Sequence, residues 1–236
     1  MPPLPVAFVG AATGTWRVDS IETVAGDPLA SSARLEVLEG STALGSVEGA
    51  FWVLRGVTSN ERYVTRLEHE KLVARQAPIG RLASTRAALI PIKKSEAWWE
   101  LPQDDRRRIF EESSHHVATG LEYLPSIARR LHHGRDLGEP FDFLTWFEFA
   151  PQDAAGFDEL VRRLRATEEW DYVGREIDIR LAREDHVRAV GEDDAELESN
   201  GPWATRSQPS SALGFGALPT AMHVPRPIGD GVDGPL

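Results

Sequence analysis

The chain has 236 residues, 37 of them acidic against 26 basic, for a net charge of −11, and it contains no cysteine. That length allows one large domain or two modest ones around a sizeable core. The acidic surface repels phosphate backbones, so no nucleic-acid partner is expected, and the missing cysteine excludes disulfides, thiolate nucleophiles, Cys-ligated zinc and iron–sulfur clusters.

In chain order, residues 5–9 and 14–24 read as strands, as does Phe51-Trp52-Val53-Leu54-Arg55-Gly56. The opening Met1-Pro2-Pro3-Leu4-Pro5 lacks the basic-then-apolar pattern of a secretory signal. No apolar run approaches the ~20 residues of a membrane span. The chain therefore reads as cytoplasmic, with no membrane partner. Residues 60–75 read as a helix, with Tyr63, Leu67 and Val73 at near-helical intervals. Residues 83–92 form a strand pattern running into Lys93-Lys94. Pro102-Gln103-Asp104-Asp105 starts a helix: proline suits the first turn and the acids complement the dipole. That helix is expected to continue to about Tyr123, with Pro125 disturbing it. Phe141 to Phe149 alternates Phe, Phe, Thr, Phe, Phe along one strand face. Ala154 to Ala166 is an amphipathic helix pattern, and Trp170 to Leu181 a closing strand. Long antiparallel strands with helices packed on one face give an α+β class.

Near residue 186 the composition changes. Glycine and proline supply 13 of the 50 residues from 187 to 236, against 23 of the 186 before them. This segment also carries the run Glu192-Asp193-Asp194 and reads as a flexible Gly/Pro-rich tail.

Chemistry-bearing residues concentrate between Ala87 and Leu181. Methionine occurs only at Met1 and Met222, so an iron porphyrin bound to the body would take its axial ligand from His or Tyr. On a continuous helix Ile109, His116, Gly120 and Tyr123 share one inward face. Gly120, one turn past the imidazole, would let a flat ligand approach. An inward histidine is either a satisfied core residue or a metal ligand. His115 lies ~100° away around the helix, so the pair cannot both hold one ion. Arg129 follows His116 by 13 residues, ~20 Å of rise on an unbroken helix. A break at Pro125 could bring it back to face the same site, or Arg129 or Arg130 could pair with a surface acid. Lys94 and Trp98, at i and i+4, could both donate to one carboxylate, or else mark a strand end with core indoles. Glu169 or Glu168 could meet the Nδ1–H of His116 and fix its tautomer.

Several segments together carry a family resemblance. They are Trp52-Val53-Leu54-Arg55-Gly56-Val57-Thr58-Ser59-Asn60, Ala87–Trp99, His115-His116, Tyr123–Arg130, Arg135–Phe149, Leu164–Trp170 and Arg175–Leu181. In this order the chain resembles the chlorite dismutase family, in particular its short, dimeric, signal-free branch. The likeness spans nearly all of residues 1–183 and is weaker before residue 50. It implies a ferredoxin-like subunit of the dimeric α/β-barrel type, with two β-α-β halves at 1–80 and 81–186. It further implies haem b in the second half, a homodimer, and conversion of chlorite to chloride and dioxygen. By the same resemblance His116 matches the proximal iron ligand and Arg129 the distal arginine. Lys94 and Trp98 match residues around a haem propionate, and Glu169 matches the acid bonded to the proximal histidine. Two departures from the family pattern are His132, where members often carry Tyr, and Gly174, where they often carry Glu. Other readings of the same fold are a coproheme decarboxylase, expected to lack the distal arginine, a haem peroxidase, or a non-enzymatic haem-binding protein.

Overall fold

The structure, a computed structural model, describes residues 4–58 and 63–183. The expected tail at 187–236 lies outside the described residues. Eight strands form a closed, entirely antiparallel barrel: β1 (Pro5–Ala11), β2 (Trp16–Ala25), β3 (Arg34–Glu39), β4 (Ala50–Val57), β5 (Arg86–Lys94), β6 (Ala128–His133), β7 (Phe143–Phe149) and β8 (Val173–Arg183). Around the barrel they run β4-β1-β3-β2-β8-β5-β7-β6. Strands β5 to β8 thus repeat the permutation of β1 to β4, a repeat of topology without a repeat of sequence. The first four strands are joined without an α-helix; only a 3-10 turn, Gly40–Leu44, separates β3 from β4. Helices α1 (Arg66–Arg75), α2 (Glu96–Glu100), α3 (Gln103–Arg107), α4 (His116–Glu122) and α5 (Ala154–Arg165) follow β4 or lie within the second four strands.

Strand β3 was not anticipated, although Leu35 and Val37 alternate with charged Arg34 and Glu36. Leu35 is fully buried inside the barrel. Gly10 faces Trp52 across the β1–β4 pair. A Cβ on Gly10 would stand 2.1 Å from the Trp52 ring, so any larger residue here would force the indole to move.

Helix α1 is shorter than its pattern suggests. It starts after Thr65, whose hydroxyl accepts from Glu68 N while the Glu68 carboxylate accepts from Thr65 N, a capping box. Leu67 and Val73 are exposed and Leu72 is the buried residue, so the apolar spacing had picked the wrong face. Part of the expected helix, residues 60–62, lies outside the described residues.

The barrel interior holds Phe8, Leu35, Leu89, Leu144, Trp146, Ile177, Ile179 and Leu181. A second core lies between the outer sheet face and α5, where Phe157, Leu160, Val161 and Leu164 meet Ala88, Ile90, Phe147 and Phe149. Burying such a side chain is worth roughly 1.5–3 kcal/mol. β7 is therefore buried on both faces. Phe147 and Phe149 point at α5, Leu144 and Trp146 at the interior. Phe141 precedes the strand and packs with the interior group, so it does not share the face of Phe147. The expected strand from Trp170 begins only at Val173; Glu168–Tyr172 is a 3-10 turn. Among the described residues no helix is long and apolar enough to cross a membrane.

Candidate haem-type site

The helix expected from residue 102 to 123 is broken. α3 passes into a π-type turn at Arg108–Ser113, and His115 takes a left-handed conformation (φ 52°, ψ 38°) before α4 begins at His116. Glu111 supplies the physical reason. Its carboxylate accepts from Val117 N at 2.6 Å and Ala118 N at 3.1 Å, capping α4 from the preceding turn. Ile109 therefore does not share a helix with His116, although it is buried too. His115 is exposed. After α4, the turn at Tyr123–Ser126 contains a cis Leu124–Pro125 bond, and the chain returns as a strand, not as a second helical segment. Arg129 stands on β6 opposite Phe147. Its neighbour Arg130 pairs with Glu39 at 2.9 Å.

This reversal creates a cavity of about 330 Å³ between the outer face of the sheet and the helices. It falls within the ~300–1,000 Å³ of small-molecule and cofactor sites. Lys94, Trp98, His116, Arg129 and Glu169 all line it, from four separate stretches of the chain. Gly120 lines it as well. A Cβ placed on Gly120 would meet no atom within 4 Å, so the helix presents bare backbone to open space.

His116 is held on several sides. Its Nδ1–H donates to Oε2 of Glu169 at 2.7 Å. Phe110 stacks on the imidazole at 4.5 Å between centroids, 22° from parallel. Glu168 is exposed, and Glu169 is the acid that turns inward. The 3-10 turn and Ser114 aim it: Glu169 N donates to Ser114 Oγ at 3.0 Å. Lys94 Nζ donates to Glu169 Oε1 at 2.9 Å and to its carbonyl at 3.1 Å. Burial alone would raise the Glu169 pKa. His116 and Lys94, by charge and hydrogen bonds, overcome this and hold it at about 2. Glu169 is thus an anion that accepts the Nδ1–H, so an imidazole that loses a proton to bind a metal does so at Nε2.

Two of the three Lys94 donors go to Glu169, so its ammonium is anchored on the acid beside His116. Its ammonium sits 4.6 Å from the Trp98 ring centroid. Trp98 is 1% exposed, and its Nε1–H is buried with no hydrogen-bond partner among the described residues. Trp99 turns the other way, donating to Asp142 Oδ2 at 3.3 Å. A buried donor beside a cavity asks for an acceptor from a ligand. With His116 and Gly120, the donor set suits a flat, metal-centred, carboxylate-bearing group such as haem.

Glu111, Phe110 and Ser114 escaped the sequence reading. On a continuous α-helix they would stand five, six and two residues before His116, off its face; the π-type turn and the left-handed His115 bring them to it.

Known proteins share the sequence pattern and fold of this chain. A family model described as chlorite dismutase matches residues 30–184. A chlorite dismutase of Ideonella dechloratans is 35% identical over 86 residues, which are 36% of this chain and 28% of that protein's length. Among solved structures, a dimeric chlorite dismutase from Nitrobacter winogradskyi is 54% identical, with a TM-score of 0.69, covering 75% of this chain and 99% of that one. The chlorite dismutase of Candidatus Nitrospira defluvii, in complex with imidazole, shares the fold at 21% identity and a TM-score of 0.54, covering 77% of this chain and 91% of that one. With the model spanning well over half of its residues, this chain belongs to the chlorite dismutase family.

Proposed function

We propose that this protein binds haem b in the cavity through His116 and decomposes chlorite to chloride and dioxygen, with Arg129 as the residue that holds the anion. The observation that carries this reading is that His116 and Arg129, 13 residues apart and on different elements, line one cavity. Haem, when bound, supplies the redox chemistry at its iron. The side chains do the rest. Glu169 takes the Nδ1–H, so Nε2 is the ligating nitrogen and the imidazole is made more basic. Lys94 holds Glu169 in place and keeps it ionised. The Trp98 indole N–H is a donor for a haem carboxylate. Gly120 gives the macrocycle access to the face of α4.

Arg129 supplies a permanent positive charge in a chain of net charge −11. It would attract a small anion against that field and hold that anion in the cavity where haem would supply the redox chemistry. It cannot serve as a base, because guanidinium stays protonated. The dimeric Nitrobacter structure supports a homodimer for this chain too. Arg129 also favours chlorite decomposition over a coproheme decarboxylase.

The deciding experiment is haem reconstitution followed by chlorite addition in an oxygen electrode. A Soret band and stoichiometric dioxygen are expected. A haem-loaded protein that evolves none would be a carrier or sensor, and one that takes up no haem would use the fold for assembly alone.

A further inference from the structure

Trp170 stands beside His116 on the cavity wall. Its ring lies 15° from the imidazole plane, with centroids 6.3 Å apart, and Lys94 Nζ is 5.6 Å from its centroid. The indole N–H does not point to solvent or to a backbone carbonyl. It donates to Oε2 of Glu176 at 2.8 Å. Glu176, on β8, is 0% exposed and does not line the cavity. Its Oε1 accepts from Nε and Nη2 of Arg165 at 2.8 and 2.6 Å, and the same Nη2 reaches Oδ2 of Asp178 at 3.0 Å.

We propose that Glu176 is a positioning residue for His116, acting through Trp170. The inference rests on His116 being the iron ligand. An indole on a partly open cavity wall can turn about its Cβ–Cγ bond at little cost. A fixed acceptor for its N–H selects one orientation, and with it the plane presented to the imidazole. Glu176 is suited to the task because two N–H groups of Arg165 hold its Oε1 and leave Oε2 for the indole, and Arg165 belongs to α5, the helix packed on the second core. A charged acceptor also enriches the indole face that meets the Lys94 ammonium, and that ammonium holds Glu169. The imidazole is therefore oriented twice: along its edge by Glu169, and across its face by a chain that runs from Arg165 through Glu176 to Trp170.

The test uses the haem-loaded full chain and two variants. Glu176→Gln weakens the acceptor. Trp170→Phe removes the N–H while leaving the Arg165–Glu176–Asp178 group in place. The readouts are the iron–imidazole stretching band of the ferrous protein by resonance Raman and the rate of haem transfer to a scavenging apoglobin. Both variants are expected to shift or broaden the band and to release haem about tenfold faster, at the low end for groups that orient a metal ligand. Should both match the wild type in band and release rate, with only the melting temperature of Glu176→Gln lowered, Glu176 serves packing alone and the inference is wrong. A wild-type protein lacking the band overturns the ligand assignment, and this inference with it. A wild-type protein showing the band beside unchanged variants overturns this inference only.

Discussion

Trp98→Phe separates what the site costs the empty protein from what it gives a ligand. The indole is 1% exposed, packs edge-on against Tyr63 and Tyr172 at 5.9 and 5.5 Å, and carries a buried N–H with no partner among the described residues. In the haem-free protein such an unmet donor costs roughly 1–3 kcal/mol. Phenylalanine removes that penalty but gives up part of the indole's packing, a loss of about the same size. The two offset, so haem-free stability should change by less than about 1 kcal/mol. With haem bound, the same N–H is expected to meet a carboxylate, a charge-assisted bond worth roughly 1.5–3 kcal/mol. Its loss should weaken haem binding about 10- to 100-fold. Urea unfolding of the haem-free protein measures the first quantity, and haem titration against a competing apoglobin measures the second. The reasoning is refuted if the variant loses several kcal/mol of stability without haem while binding haem as tightly as the wild type.

Arg129→Ala should retain haem but turn over chlorite roughly 10²–10³-fold more slowly or inactivate within a few turnovers; unchanged oxygen-electrode progress curves would remove the arginine from the reaction. His116→Ala should lose its Soret band on dilution while His115→Ala keeps it, because His115 is exposed and left-handed at the helix start; equal loss in both would contradict the ligand choice. His132 gives a pH signature. Its Nδ1–H donates to Leu144 O at 3.1 Å, and burial, followed by the charges of Arg130 and His133, lowers its pKa from 6.5 to about 4. The unfolded chain takes up a proton below pH 6.5 that the folded chain refuses until about pH 4, so stability falls as pH drops through that window. Between about pH 7.5 and about pH 5 this one group accounts for a loss of about 2 kcal/mol. In His132→Phe the pH dependence of urea unfolding should be shallower by that amount, and an identical slope would show that His132 does not titrate this way.

Much of the fold was legible in the chain. Alternating apolar residues marked most of the strands, and the amphipathic pattern of Ala154 to Arg165 marked the helix that covers the sheet. The pattern marked one apolar face of β7 but not its double burial, because Leu144, Trp146 and Glu148 on the other face are covered only once the barrel closes. The topological repeat was equally invisible, because strand order is set by which edges pair and not by local propensity.

The site divides along the same line. The residue types left His116 as a core residue or a ligand and left Arg129 or Arg130 and Glu168 or Glu169 open; the family resemblance singled out His116, Arg129 and Glu169. Whether Glu168 or Glu169 faced inward depended on a 3-10 turn and a hydrogen bond to Ser114, 55 residues away. The break at His115 depended on a carboxylate from the preceding turn taking two helix N–H groups. Local periodicity assumes that a residue's partners lie one turn away. Here Glu169 and Trp170 stand beside His116 from more than fifty residues away, and only the closed barrel brings them to one place.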